Sequence, residues 1–396
     1  MASTVTKAGP YYASGSISFS SLRANFRAQQ PDGSFLSDSL PIKASDLRRI
    51  TTKSASVTDP VVPDATENAS ISTANNWRAS QFRNSIKYYY ITQTGTELNY
   101  DIDAQSWNTN LNKNIRKWMY INGTCGSNSA GTYAAIQDAE AWNLTVQVAG
   151  SILGAKGAKG TKASPNAGNG GGALYTQSSG GRVSVNILSG ARIYAGGGGG
   201  AGGQDGTQGA GGACYNRVTY SAAGRCGGCD GCGGGYTINC SGRNYSSYGQ
   251  RSIGGCGRER GCQCWFGWYR GWNCRNTKYR NRDCERYDPY CVSGAPGGTG
   301  SDGIDGRGYD NQTNSLTGAT ATAGTAGGCP SYGGSGTDGI AGGNGGDWGS
   351  GGGTTTRSTT TIGTGGASGR AIGPGGGNYS VGGTINSSTV RGAFNP

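Results

Sequence analysis

Apolar and polar positions alternate cleanly in only a few places along this chain. Leu144, Val146 and Val148 are separated by Thr145 and Gln147, and Val183, Val185 and Ile187 by Ser184 and Asn186. This period of two predicts strands with one buried face. Residues 87–94, with three consecutive tyrosines, are strand-like, and Gly95 turns them. Leu111, Ile115, Trp118 and Met119 recur at i, i+4, i+7 and i+8, which predicts an amphipathic helix over residues 110–120. Near the start, residues 16–26 alternate and then read as a short helix with Ser20 or Ser21 as its N-cap. Residues 41–48 repeat its Ser-x-Leu-Arg ending, so two small strand-to-turn units are expected. Residues 51–76 are rich in Ser, Thr, Ala, Asn and Pro and read as an extended linker.

Beyond residue 149 side-chain patterning gives way to glycine. The chain of 396 residues holds 78 glycines, and only seven of them precede residue 150. Of the 247 residues from 150 onward 71 are glycine, with no side chain to fill a core, so an ordinary helix- or sheet-built domain is not expected there. The glycines keep a triplet register. Gly154, Gly157 and Gly160 are in phase, as are Gly197, Gly200, Gly203, Gly206, Gly209 and Gly212. Gly294 to Gly306, Gly333 to Gly345 and Gly363 to Gly369 each contain further in-phase runs. Three residues per turn is the period of the polyproline-II helix. Collagen is excluded because its unbroken, proline-rich array is missing: prolines number 11 and the phase breaks repeatedly. The expectation is several short polyglycine-II helices folded back beside one another, joined by backbone hydrogen bonds, because such helices make none internally.

The expected fold class is therefore irregular or mostly β. A small α+β N-terminal part precedes a bundle of glycine-rich polyglycine-II helices, which carries a cysteine-rich inserted loop domain. Residues 1–50 form an attachment segment, 51–76 a linker and 77–149 the α+β head. Residues 150–213 form the first glycine-rich rod, 214–293 the insertion and 294–396 the second rod with the C-terminal return.

Several of these phrases carry a family likeness. Gly170-Gly-Gly-Ala-Leu-Tyr175, Val183-Ser-Val-Asn-Ile187 and Ile193-Tyr-Ala-Gly-Gly-Gly-Gly-Gly200 together resemble the glycine-rich tail-fibre tip proteins of tailed bacteriophages. Gly366-Ala-Ser-Gly-Arg-Ala-Ile372 is similar to a second element of that family, and Ile17-Ser-Phe-Ser-Ser-Leu-Arg23 to openings of phage tail and baseplate-associated proteins. The resemblance spans residues 1–50 and 140–396. It implies an adhesin in which glycine helices hold loops that bind the host surface, located on the virion and made in the host cytoplasm.

The insertion concentrates chemistry. Eleven of 13 cysteines lie between Cys214 and Cys291: Cys214, Cys226, Cys229, Cys232, Cys240, Cys256, Cys262, Cys264, Cys274, Cys284 and Cys291. A segment with little aliphatic content needs cross-links, so a disulfide framework is the first reading. Zinc is the second, because Cys226, Cys229 and Cys232 have chelate spacing, although no clean second CxxC follows. No other cofactor is expected. Residues 214–291 hold 12 basic side chains against five acids, more than half of the chain's net charge of +12. They also carry the aromatic run Trp265, Phe266, Trp268, Tyr269 and Trp272 around Arg270, with Arg280 and Arg282 following. Arginine forks suit phosphate and carboxylate, and aromatic faces stack on sugars or bases. These eight residues are the candidate receptor contacts. The bland alternative makes the tryptophans the insertion's own small core and the scattered tyrosines ordinary packing.

Histidine is absent, which removes Ser–His–Asp and Cys–His chemistry and HExxH zinc sites. Acids total 22 and form no recognisable catalytic phrase; Asp302, Asp305, Asp338 and Asp347 read as solvated surface residues. No enzyme is expected. Arg-Gly pairs are isolated, so nucleic acid is not an expected partner. No apolar run is long enough to span a membrane, and the first residues lack the apolar core of a secretory signal. Expected partners are other virion proteins through residues 1–75 and a host surface glycan or outer-membrane component. The chain is expected to form a homo-oligomer, a trimer by family habit, or to sit on a trimeric fibre. The competing reading is a non-receptor virion part (baseplate, collar or capsid fibre). A fibre-borne glycan-degrading enzyme ranks behind both.

Overall fold

The computed structural model describes residues 3–26, 42–52, 62–107, 109–176, 183–224, 235–252, 264–266, 272–274, 280–326, 334–373 and 379–394. The chain divides into two compact units. The first comprises Met1–Gly203, Ser301–Thr320 and Ala341–Pro396, and the second Gln204–Gly300 and Ala321–Ile340.

Short strands of the first unit recur in sets, each set adding one strand to each of three sheets. Tyr89–Gln93, Thr96–Leu98 and Tyr100–Asp101 form the first coil, and Lys117–Ile121, Thr124–Gly126 and Tyr133–Gln137 the second. Leu144–Val148, Ser151–Leu153 and Gly172–Thr176 form the third. The fourth contains Val183–Ile187, Arg192–Tyr194 and, after a long excursion, Ile372–Gly373. Tyr379–Gly383 and Val390–Arg391 follow. Each strand pairs in parallel with its counterpart in the next coil, so equivalent positions stack. One ladder runs Ile91, Met119, Val146, Val185 and Val381; another runs Cys125, Ile152, Ile193 and Val390. Those ladders form the main core. Outside it the register carries polar pairs, such as Ser380 donating to Ser184 at 3.1 Å.

This arrangement replaces the expected one. A small α+β part followed by a bundle of polyglycine-II helices is not what organises the chain: stacked, largely parallel sheets do, and the described residues contain one α-helix, Phe19–Asn25. The helix expected over residues 110–120 is a series of turns running into the strand Lys117–Ile121. That strand is buried on both faces, so its apolar residues imitate a helical stripe. Lys117 points inward at this register and is fully buried, its Nζ donating to the carbonyls of Lys113 (2.9 Å) and Ile115 (2.6 Å).

Phe19–Asn25 is capped by Ser18, two residues before Ser20 and three before Ser21, through a capping box with Ser21. Its Leu22 packs with Phe26, Ile42, Leu47, Val62, Ile71 and Phe82 in a separate small core. The part of the expected linker that is described is therefore folded. Val62 and Ile71 are core residues, and buried Asn68 bonds to Pro63 and Ile86. Residues 53–61 lie outside the described residues.

The excursions leave the coils at one corner, between the second and third sheets. Asn99 alone fills it in the first coil, residues 127–132 in the second, 154–171 in the third and 195–371 in the fourth. Among the described residues their glycine-rich segments lie largely outside helices and sheets, and lateral backbone hydrogen bonds order them. In the first unit Gly196, Gly199 and Gly202 donate to Gly171, Gly168 and Pro165. Gly197, Gly200 and Gly203 donate to Arg307, Ile304 and Ser301, while Gly198 and Ala201 donate to Ser350 and Gly353. Carbonyls of the same segment accept from Gly157 and Gly160, from Gly366 and Gly369, and from Gly343 and Gly346. The segment thus uses six neighbours, and the period of three sends successive N–H groups to different ones. Every residue of it is buried. Buried backbone groups must be paired, and here the pairing itself fills the interior.

Where neighbouring backbone runs out, side chains supply the acceptors at the same period. Asp305 and Asp302 accept from the N–H groups of Lys159 and Lys162 (2.8 and 3.0 Å), and Asn169 and Asn166 from those of Ala367 and Thr364 (2.9 and 3.0 Å). Within the second unit Asp205 caps Gly300 and Asp338 caps Gly324. Asp302, Asp305 and Asp338 are therefore fixed backbone partners, not merely solvated residues. Lys162's N–H and the Lys159 ammonium hold the Asp302 carboxyl below its ordinary range.

Candidate functional site: a tyrosine and arginine face

In the second unit two long strands, Gly212–Gly224 and Arg280–Val292, pair antiparallel along their whole length. Tyr248–Ser252 adds a third strand to the outer side of Arg280–Val292. Antiparallel partners share a face. Arg217 lies opposite Tyr287, Thr219 opposite Glu285, and Tyr248 opposite Tyr287 from the other side. The register shifts just after Tyr248, where Gly249 takes φ +69°. A side chain there would be strained, and its Cβ would stand 3.1 Å from the Tyr287 ring.

These pairings assemble three tyrosines. Tyr248 stacks on Tyr287 with centroids 5.2 Å apart and planes at 13°, and Tyr215 meets Tyr248 edge-on at 4.7 Å. Tyr248 remains 51% exposed, so its ring offers a free surface after packing. Beside it Arg217 Nε donates to Glu285 Oε2 at 2.5 Å; Glu285 is fully buried while the arginine reaches solvent. On the opposite face the Arg286 guanidinium lies 4.7 Å from the Tyr220 ring centre and binds Asp288 at 2.5 Å. Ser247 also donates to Asp288, at 2.9 Å. Arg286 holds the Asp288 carboxyl below the usual range. Tyr236 and Tyr290 add further exposed rings, and Tyr236 OH donates to the Pro289 carbonyl at 3.3 Å.

A hairpin of Thr237–Cys240 and Arg243–Ser246 is joined to the long strand by the disulfide Cys240–Cys291. Its turn, Ser241-Gly242, has positive φ at both residues. Cys214 and Cys284 are also disulfide-bonded. Cys125, in the first unit, is free and buried.

Of the residues singled out in the sequence, Trp265, Phe266 and Trp272 fall on a short hairpin, Cys264–Phe266 with Trp272–Cys274. Its register sets Cys264 opposite Cys274 and Phe266 opposite Trp272. Arg280 and Arg282 begin the long strand, opposite Gly224 and Ala222. Trp268, Tyr269 and Arg270 lie outside the described residues, as do Cys226, Cys229, Cys232, Cys256 and Cys262. The zinc alternative rests on three of these. Among the described residues no group of three or more acids or cysteines is placed to hold a metal ion.

The tyrosine cluster was not singled out in the sequence. Its one local signal is the i, i+2 spacing of Tyr215 with Arg217 and of Glu285 with Tyr287, which places each pair on one face of a strand. Chemically this face offers aromatic surface, phenolic hydroxyls and guanidinium donors, with Glu285 tied to Arg217, while on the opposite face Asp288 is tied to Arg286. No helix among the described residues is long and apolar enough to cross a membrane. Comparison with family models, curated proteins and solved structures finds no match to the chain.

Proposed function

We propose that this chain is a bacteriophage virion protein, a tail-fibre or fibre-tip adhesin, that recognises a host surface glycan or outer-membrane component. The observation that carries this reading is the Tyr215–Tyr248–Tyr287 cluster, half open to solvent on a disulfide-linked sheet. Tyrosine and arginine are the residues that dominate binding energy where they are held rigid. A ring already fixed by a stacked neighbour loses little freedom when a ligand arrives. Sugar rings fit such faces by stacking, with phenol and guanidinium groups bonding their hydroxyls. The resemblance to glycine-rich fibre-tip proteins supplies the biological setting. Residues 1–75 join the chain to other virion proteins, and the role is non-catalytic.

The test is competition for adsorption. Purified chain is added with phage particles to host cells, alongside a Tyr248→Ala/Tyr287→Ala variant of matched thermal stability. The intact chain blocks adsorption and the variant needs at least about tenfold more, as expected for loss of a binding hot spot. If neither blocks, the chain is a non-receptor component of the particle, such as a baseplate, collar or capsid-fibre part.

A further inference from the structure

Within the first unit, three distant stretches of chain converge on one turn. Asp347-Trp348-Gly349-Ser350 reverses the chain between two glycine-rich segments, closed by the Ser350 N–H on the Asp347 carbonyl at 2.9 Å. Gly349, at φ +70°, donates to the Ala195 carbonyl at 2.9 Å, which pins the turn. Trp348 packs on Tyr194 with centroids 5.6 Å apart. Tyr194 is itself fixed, its hydroxyl donating to the Ser388 carbonyl at 2.6 Å. Arg391 lies over the Tyr194 ring at 5.0 Å, its Nε on the Ser387 carbonyl at 2.9 Å.

Two guanidinium groups bracket the carboxylate at the head of this turn. Arg307 Nε stands 3.4 Å from Asp347 Oδ1, and Arg391 Nη1 3.5 Å from Oδ2. Charge-assisted pairs of this type close to about 2.7–2.9 Å when fully engaged, so both contacts are loose. Asp347 is half exposed, and two cations against one anion leave the cluster with a net positive charge. Arg307 Nη1 bonds the Gln312 carbonyl and Arg391 Nε the Ser387 carbonyl, which leaves further N–H donors on both forks. Half-buried Trp348 presents part of its indole, whose N–H has no hydrogen-bond partner among the described residues. The cluster is therefore rich in donors and poor in acceptors, with an aromatic plate beside it.

We infer that Trp348, Arg307 and Arg391 form a site for a carboxylate-bearing saccharide, separate from the tyrosine face and independent of it. The sugar ring stacks on Trp348, and its carboxylate takes the guanidinium donors that Asp347 now engages loosely. A carboxylate is favoured because each oxygen of Asp347 already faces one arginine, a geometry a ligand carboxylate can repeat. Asp347 then acts as an internal competitor that sets the affinity.

The experiment is calorimetric titration of the full chain with a galacturonic acid hexasaccharide and with a neutral hexasaccharide of the same length. The acid binds and the neutral sugar does not. Arg391→Gln and Trp348→Ala each weaken binding at least about tenfold, as for loss of a bidentate or stacking anchor. Arg391→Lys keeps the charge but loses the fork, and also weakens binding. Asp347→Asn strengthens it severalfold, which a purely structural role for this cluster does not predict. Thermal unfolding of each variant confirms that it is folded. Equal binding of acid and neutral sugars overturns the inference, as does failure of the acid to bind at millimolar concentration. So does unchanged binding by Arg391→Gln, which marks unspecific attraction to a basic protein. Tyr248→Ala/Tyr287→Ala leaves this titration unaltered, so failure of one site is distinguishable from failure of the other.

Discussion

Replacing Gly199 by alanine tests whether the interior of the first unit is held by backbone contact. Gly199 is buried, donates to Gly168 and accepts from Gly366. A Cβ added there would stand 2.0 Å from the Ala158 carbonyl oxygen and 2.5 Å from its carbon. Carbon and oxygen tolerate approach to about 3.3 Å, so the 154–160 segment must retreat by more than 1 Å, on the order of a third of that contact distance. The same segment is tied to its neighbour by Gly157 on Gly197 and Gly160 on Gly200, both at 2.8 Å. Such a shift takes both bonds to about 4 Å, beyond the hydrogen-bonding range. Each buried backbone pair left open costs about 1–3 kcal/mol, and the stiffer unfolded chain returns about 0.4–1 kcal/mol. The net loss is roughly 1–6 kcal/mol.

Two positions serve as references. Ala201 in the same segment is fully buried, so a methyl is accepted where the neighbours leave room. Gly382 has nothing within 4 Å of its hypothetical Cβ and no positive φ. Gly382→Ala should therefore stay within about 0.5 kcal/mol of the parent. Urea unfolding measures both variants, and hydrogen exchange at Gly157 and Gly160 reports the two bonds directly. If Gly199→Ala is as stable as Gly382→Ala, or those amides stay protected, the reasoning is wrong.

The cross-link Cys240–Cys291 spans 51 residues, for which loop entropy sets an upper bound of about 4 kcal/mol. The other disulfides already shorten the unfolded chain, so Cys240→Ser/Cys291→Ser should cost about 2–4 kcal/mol, read as lost amide protection along Arg280–Val292. Asp103 accepts from the N–H groups of Asp138 and Ala139 and from Gln137, yet burial outweighs these bonds and raises its carboxyl to about 6. The folded state then holds the proton that the unfolded state releases, so stability falls as pH rises from about 4 to about 6, by about 1–2 kcal/mol after solvent screening. Melting curves from pH 4 to 7 should lose that slope in Asp103→Asn; an unchanged slope removes Asp103 as its source. Burial, with a smaller push from the Glu97 charge, raises the Cys125 thiol to about 12. Iodoacetamide at pH 8 should leave Cys125 unlabelled in the folded chain and label it in urea, checked by peptide mass.

Local pattern carried part of this structure. The alternation around Val146 and Val185 marks two real strands, Leu144–Val148 and Val183–Ile187. Strands such as Thr96–Leu98 and Tyr100–Asp101 are too short to show any period, so the second and third sheets were not legible. Burial on both faces of Lys117–Ile121 made a strand resemble a helix. The cysteine and arginine enrichment pointed to the second unit, but the tyrosine face depends on Tyr248 meeting Tyr287 across a strand pair.

The sequence by itself determined the repeat of three in the glycines and the absence of histidine chemistry. It also determined which positions carry no side chain, because these are properties of single residues and their spacing. Only the tertiary structure decided which segment each N–H group finds, which coils stack, and that Arg307, Trp348 and Arg391 share one turn with Tyr194. A backbone hydrogen bond is the same in every segment, so a period says that a neighbour is needed without saying which. That choice is made by register and packing between stretches far apart in the chain.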